Sequence, residues 1–250
     1  MRKVTVCLVW LSLMLGNILS AQAAEPVKIA VDSENPPFMY AENNKAVGLY
    51  PVLLNAVFAK MGMTAEIEAY PWKRTLSMGE KGAAAIGGIY KNEERLKIYD
   101  YSDPIFSEKL LIYVNKDASF PFTGVSDLKG KRIGVILGWS YSDAFDAARK
   151  EQQFTADEAT SDNTNFKKLT SGRLDGVVAI ELAGQKVIAE EGLQDKVVAL
   201  ETPLAINDTY IVFAKSLGKG ELLRQFNDTL KSMKEDGSYD KVIAEFIAGK

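Results

Sequence analysis

With 250 residues, 47% of them hydrophobic and 25% charged, the chain is long enough for one large or two small packed domains. A net charge of −3 and the lack of any basic run exclude nucleic acid and anionic membrane as electrostatic partners. Histidine is absent and the single cysteine, Cys7, lies near the N-terminus, which excludes Ser-His-Asp and Cys-His catalysis, disulfides, and zinc sites built on imidazole or thiolate. No metal or cofactor is expected.

Residues 1–23 read as a secretory signal peptide. Arg2-Lys3 form the charged start, Val4–Leu19 a mostly apolar run, and Ala21-Gln22-Ala23 a small-x-small cleavage motif. Cleavage is expected between Ala23 and Ala24. Cys7 would leave with the leader, so no lipid-modified cysteine is expected on the mature chain. Losing Arg2 and Lys3 takes the net charge to −5, because the leader has no acidic residue. The expected product is a soluble periplasmic monomer.

The mature chain opens with Val27–Val31 as an alternating strand, followed by Asp32-Ser-Glu-Asn-Pro-Pro-Phe38, where paired prolines force a rigid, extended loop. Gly48 to Met61 is helical, with Val52, Leu53, Ala56, Val57 and Met61 as its apolar stripe and Gly62 as its stop. A second strand, Ala65–Tyr70, runs into a helix start at Pro71-Trp72-Lys73-Arg74. The third strand, within Ala83–Tyr90, ends near Gly87-Gly88 and turns into a helix capped by Asn92. This strand–helix alternation is the rhythm of a parallel sheet with crossover helices.

A strong β run at Leu110–Val114 precedes a loop rich in Pro, Phe, Gly and Ser, and a second α/β unit begins near Leu128. Its strands are expected within 128–137, 154–159, 174–180 and 197–200, with helices through Lys150, around 165–170 and over 181–191. Thr209–Ala214 is another β run, and helices over 221–235 and 239–247 close the chain. The pattern predicts an α/β protein of two lobes, 24–109 with 209–250 and 110–208. They are joined by two strands near residues 109 and 208, with a cleft between them.

Two stretches carry chemistry. Arg95 falls in the first turn of a helix, where its charge has the wrong sign for the dipole, and Gly87-Gly88 lets a ligand approach a strand end. An ordinary solvated arginine between Glu94 and Lys97 would give the same pattern. Gly138-Trp139-Ser140-Tyr141-Ser142 repeats the logic: a strand ends in glycine, and Ser140 or Ser142 caps the next helix, whose free N–H groups suit an anion. The plain alternative there is a capped helix with Trp139 as packing.

Five further segments, in order, resemble one family. They are Pro36-Pro37-Phe38 with Val47-Gly48; Glu94-Arg95 with Tyr101-Ser-Asp-Pro104; Leu128-Lys-Gly-Lys-Arg-Ile-Gly-Val135 with Gly138; Ser171-Gly-Arg-Leu-Asp175; and Asn227, Met233 and Asp236–Lys241. Over residues 25–250 the chain resembles the periplasmic solute-binding proteins of polar amino-acid ABC transporters. The resemblance implies the type II periplasmic-binding-protein fold, each lobe a mostly parallel sheet flanked by helices. It also implies no catalysis, and delivery of a small carboxylate-bearing ligand to an ABC permease in the inner membrane. It implies that Arg95 pairs with the ligand carboxylate, that Ser140 assists, and that Gly88 and Tyr90 contact an ammonium. Tyr70 or Trp72 would stack on the ligand. Asn35, Arg74, Trp139 and Tyr141 are further cleft candidates.

The sequence departs from that family at one telling place. The aspartate expected five residues after Asp175, which would neutralise an α-ammonium, is Ile180, and only a shift of register would let Glu181 replace it. This points to a ligand that lacks a free α-ammonium, as an organic acid does, or carries its cation elsewhere, since an enclosed ammonium needs an acidic partner. Two other readings stay open: an enzyme on the same scaffold, such as a cyclic-acid dehydratase working through Glu, Asp, Lys or Tyr, and a sensory ligand-binding module.

Overall fold

The computed structural model describes residues 25–43 and 45–249; the leader and its cleavage point lie outside them. In chain order the first elements are β1, Val27–Asp32, and three short strands, β2 Glu34–Asn35, β3 Met39–Glu42 and β4 Lys45–Val47. The helix α1, Leu49–Lys60, leads to β5, Ala65–Tyr70, then α2, Trp72–Glu80, and β6, Ala85–Tyr90. After the single turn α3, Arg95–Ile98, come β7, Tyr99–Tyr101, and the long β8, Phe106–Asn115. The second unit holds β9 Arg132–Ile136, α4 Asp143–Lys150, β10 Thr155–Ala159, α5 Asp162–Thr170, β11 Gly176–Ile180, α6 Glu181–Glu190 and β12 Val197–Ala199. A second long strand, β13 Ala205–Ala214, and the helices α7 Gly220–Glu235 and α8 Ser238–Ile247 finish the chain.

One mixed sheet runs through the protein in the order β10-β9-β11-β8-β13-β6-β1-β5, with β12 added to β8 and β7 to β13. Its two ends are parallel: β1 pairs in parallel with β5 and β6, and β9 with β10 and β11. The crossover helices expected from the sequence supply those parallel connections. In the middle, β8 and β13 pair antiparallel from Phe106↔Thr209 to Leu110↔Ala205. Past Leu110, β8 moves to β11 and β12; past Thr209, β13 moves to β6 and β7. Each strand therefore begins in one half and ends in the other, and this is the two-lobed type II architecture with its two-strand hinge.

Both hinge strands are longer than the apolar runs at 110–114 and 209–214. Their first halves, Phe106-Ser-Glu-Lys109 and Ala205-Ile-Asn-Asp208, are mostly polar and hold each other by ladder hydrogen bonds. The loop after β1 also has more structure than expected. It carries a cis Pro36–Pro37 bond and sits in the three-stranded β2-β3-β4 sheet. The main core gathers Ile29, Leu54, Ile86, Ile211 and Phe226, and a satellite core of Leu111, Tyr113, Phe166 and Val177 lies under α5 and α6.

Candidate ligand site

The carboxyl ends of β1, β6 and β9 converge where the two halves face each other, the place where open α/β sheets receive ligands. There a narrow cavity of about 10 Å³, room for about one water, is lined by Asn35, Met39, Trp72, Gly88, Tyr90, Arg95, Glu108, Trp139 and Ser140. Arg95, Trp139 and Ser140 also border a wider surface groove with Asn92, Asp146 and Arg149. The smaller cavity is the better ligand site, because two opposite buried charges line it.

Arg95 reaches the cavity from α3. The turn before it is fixed by Asn92, whose Oδ1 accepts from the Arg95 N–H at 2.8 Å, although the helix itself starts two residues later than expected, with Glu94 at its N-cap. The helix it opens is only one turn long, because β7 follows at once. The guanidinium is 8% exposed, donates to the Tyr90 carbonyl at 3.0 Å, and lies 5.8 Å from the Trp72 ring centroid. Burial lowers its pKa from the usual arginine range, with partial compensation from its neighbours. No carboxylate lies within 4.0 Å of it among the described residues.

Gly88 has φ +76°, and a Cβ there would lie 2.5 Å from the Tyr50 ring and 2.9 Å from Met39 Sδ. Only glycine fits this wall of the cavity. Gly138, φ +79°, likewise ends β9 in the left-handed region and brings the Trp139 segment against Trp72.

Polar contacts join the two halves around the cavity. The Trp72 indole donates to the Gly138 carbonyl at 3.2 Å, the Trp139 indole to Asp32 Oδ2 at 3.0 Å, and Asn92 Nδ2 to Ser140 Oγ at 3.0 Å. Ser142, not Ser140, caps α4, accepting from the Phe145 N–H at 3.2 Å. The Ser140 hydroxyl donates to Asp146 instead.

Two buried acids, Glu108 and Asp32, adjoin this region, and a third, the partly buried Asp162, lies by a neighbouring pocket. Glu108, 3% exposed, accepts from the Tyr50 and Tyr90 hydroxyls, yet desolvation pushes its pKa up to about 7. Asp32 is pushed up to about 6 by burial, against the lowering effect of the Trp139 indole. Asp162 rises to about 7 through burial and the nearby charge of Asp32.

Known proteins match this chain in family and fold. The model of the bacterial extracellular solute-binding proteins, family 3, covers residues 27–249. The chain belongs to that family. An arginine-binding periplasmic protein of Mannheimia haemolytica is 26% identical over 244 residues, spanning 96% of this chain and 98% of the relative. An ancestral arginine-binding protein bound to arginine superposes with a TM-score of 0.74 at 27% identity, covering 88% of this chain and 97% of that one. A histidine kinase sensor domain with similarity to periplasmic binding proteins superposes at 0.78 and 22% identity, covering 89% and 96%, a likeness of fold alone.

Within this family 3 protein the fold brings together seven residues singled out from sequence: Asn35, Trp72, Gly88, Tyr90, Arg95, Trp139 and Ser140. Four others lie elsewhere. Tyr70, at the end of the edge strand β5, donates to Glu68 and lies under Arg74, whose guanidinium is 4.3 Å from the ring centroid. Arg74 is exposed on α2, so it brings no second cation to the cavity. Tyr141 is buried behind it, with its hydroxyl accepting from the Ile136 N–H at 2.7 Å. Glu181 begins α6 and pairs with Lys109 at 2.9 Å, and Ile180 is core. The sequence reading missed Met39 and Glu108. Glu108 looks like an ordinary alternating charge in Phe106-Ser-Glu-Lys, and its burial comes from tyrosines 58 and 18 residues away.

Proposed function

We propose that this protein is the periplasmic receptor of an ABC importer, capturing a small carboxylate-bearing solute between its two lobes without changing it chemically. The observation that carries the reading is Arg95: a buried guanidinium, free of any described carboxylate within 4.0 Å, lining a cavity at the hinge. A cation so placed is costly unless an anion arrives to pair with it. A carboxylate fits its planar fork in two parallel hydrogen bonds. Family membership and the names of the two arginine-binding relatives support the same reading.

The lobes proposed are 24–109 with 209–250 and 110–208, closing about β8 and β13. Trp72 and Trp139 would enclose the ligand, Gly88 and Tyr90 would border it, and the leader would be removed after Ala23. Ser140 takes a lesser role, because its one hydroxyl proton goes to Asp146. The working form proposed is a soluble monomer that hands its cargo to an inner-membrane permease.

Native mass spectrometry of protein purified without refolding tests this. A small carboxylate-bearing adduct retained by the wild type and lost from Arg95→Ala is expected. An adduct without a carboxylate, or one retained equally by both proteins, would contradict it.

A further inference from the structure

Two acceptors in the cavity serve no cation. The Glu108 carboxylate accepts from two tyrosine hydroxyls, which leaves about half of its lone-pair sites open. Among the described residues, no Lys or Arg nitrogen lies within 4.0 Å of it. Asn35 is 2% exposed and lines the same cavity, and its Oδ1 is buried with no donor among the described residues. Native proteins rarely leave such an acceptor unmet without a reason. The two residues come from different elements, β8 and the loop around β2, so neither placement follows from the other.

We infer that Glu108 and the Asn35 side-chain oxygen form a subsite for a positively charged nitrogen of the solute. This rests on the carboxylate reading above and narrows it: the ligand is a zwitterion, with its carboxylate on Arg95 and its cationic nitrogen on Glu108 and Asn35. An ammonium has three donors to distribute between these acceptors. A dicarboxylate would set a second anion against Glu108 and bind less well wherever that carboxyl is ionised. Glu108 also resolves the difficulty raised by Ile180. The acidic partner comes from the hinge strand β8, not from the end of β11.

The test is a thermal-shift and calorimetric panel on the whole mature protein. Its probes are the twenty amino acids, β-alanine and γ-aminobutyrate, and for each the acid of the same skeleton with hydrogen in place of the amine. Lysine and arginine are also paired with counterparts lacking the side-chain cation, and small dicarboxylic acids complete the set. Wild type should bind at least one zwitterion about 30-fold or more tightly than its counterpart lacking the cationic nitrogen, and no dicarboxylate with comparable affinity. Glu108→Gln, which keeps the shape and still accepts from one of the two tyrosine hydroxyls while the other must turn to accept from its amide, should lose most of that preference while holding the cation-free acid within about 3-fold. Arg95→Ala should weaken both. Equal wild-type binding of a zwitterion and its cation-free acid would overturn the subsite and leave the carboxylate reading standing, and it needs no variant that folds. A preference that survives Glu108→Gln intact would do the same. Failure of every carboxylate in the panel to bind would overturn both.

Discussion

At the scale of single residues, the site is a set of buried charges held without the partners that would ordinarily accompany them. Glu108, Asp32 and Asp162 all have folded pKa values raised above the usual 4 or so, to about 7, 6 and 7, chiefly by desolvation. Their contribution to stability is full below the unfolded values near 4 and is lost as pH rises through 6 to 7, because the folded state must then bury a charge. Each is worth of order 3 kcal/mol between those limits. The unliganded protein should therefore unfold at a higher temperature at pH 5 than at pH 8, with a smaller difference in Glu108→Gln. A thermal melt that is flat or falls on acidification over that range would contradict the burial of these acids. Ser140 gives a second residue-level expectation. With its hydroxyl proton on Asp146, Ser140→Ala should weaken solute binding by about 1 kcal/mol, well short of the effect at Arg95. Calorimetry showing an equal loss at the two positions would reassign Ser140 as a direct carboxylate ligand.

At the scale of elements, much of the chain was legible because period and punctuation agree. The strands β1, β5, β6, β9 and β11 follow apolar runs, and Gly62 and Asn92 mark a stop and a turn where local chemistry requires them. What the sequence hid depends on pairing at a distance. The polar halves of β8 and β13 look like loop until they are set against each other. Tyr70 and Trp72 are two residues apart and equally aromatic, yet one ends the edge strand β5 and the other begins α2, so only Trp72 turns into the cavity. Gly88 shows how tightly β6 meets its surroundings. Gly88→Ala would combine a positive φ with a 2.5 Å approach to the Tyr50 ring. It should cost about 2 kcal/mol or more of stability and distort the cavity wall. Chemical denaturation giving a wild-type midpoint would show that this wall yields more easily than the packing implies.

At the scale of the whole molecule, the continuous sheet joins the two halves, and the bending proposed for solute capture falls where β8 and β13 cross. The contacts from Trp72 to Gly138 and from Trp139 to Asp32 lie beside the cavity, so the proposed solute site and the contact between the halves share the same residues. Trp139→Phe would leave Asp32 buried without its indole donor. It should shift the protein toward separated lobes, seen as a larger radius of gyration in scattering and weaker binding by about 1–3 kcal/mol. An unchanged radius and affinity would mean that closure does not depend on this contact.

The central claim is that a buried arginine holds the carboxylate of a captured solute, and calorimetric titration of that solute into wild type, Arg95→Ala and Arg95→Lys tests it most directly. The account predicts a loss of about 2–5 kcal/mol for alanine, with lysine recovering only part of it because an ammonium cannot reproduce the bidentate fork. Wild-type affinity in either variant would contradict it.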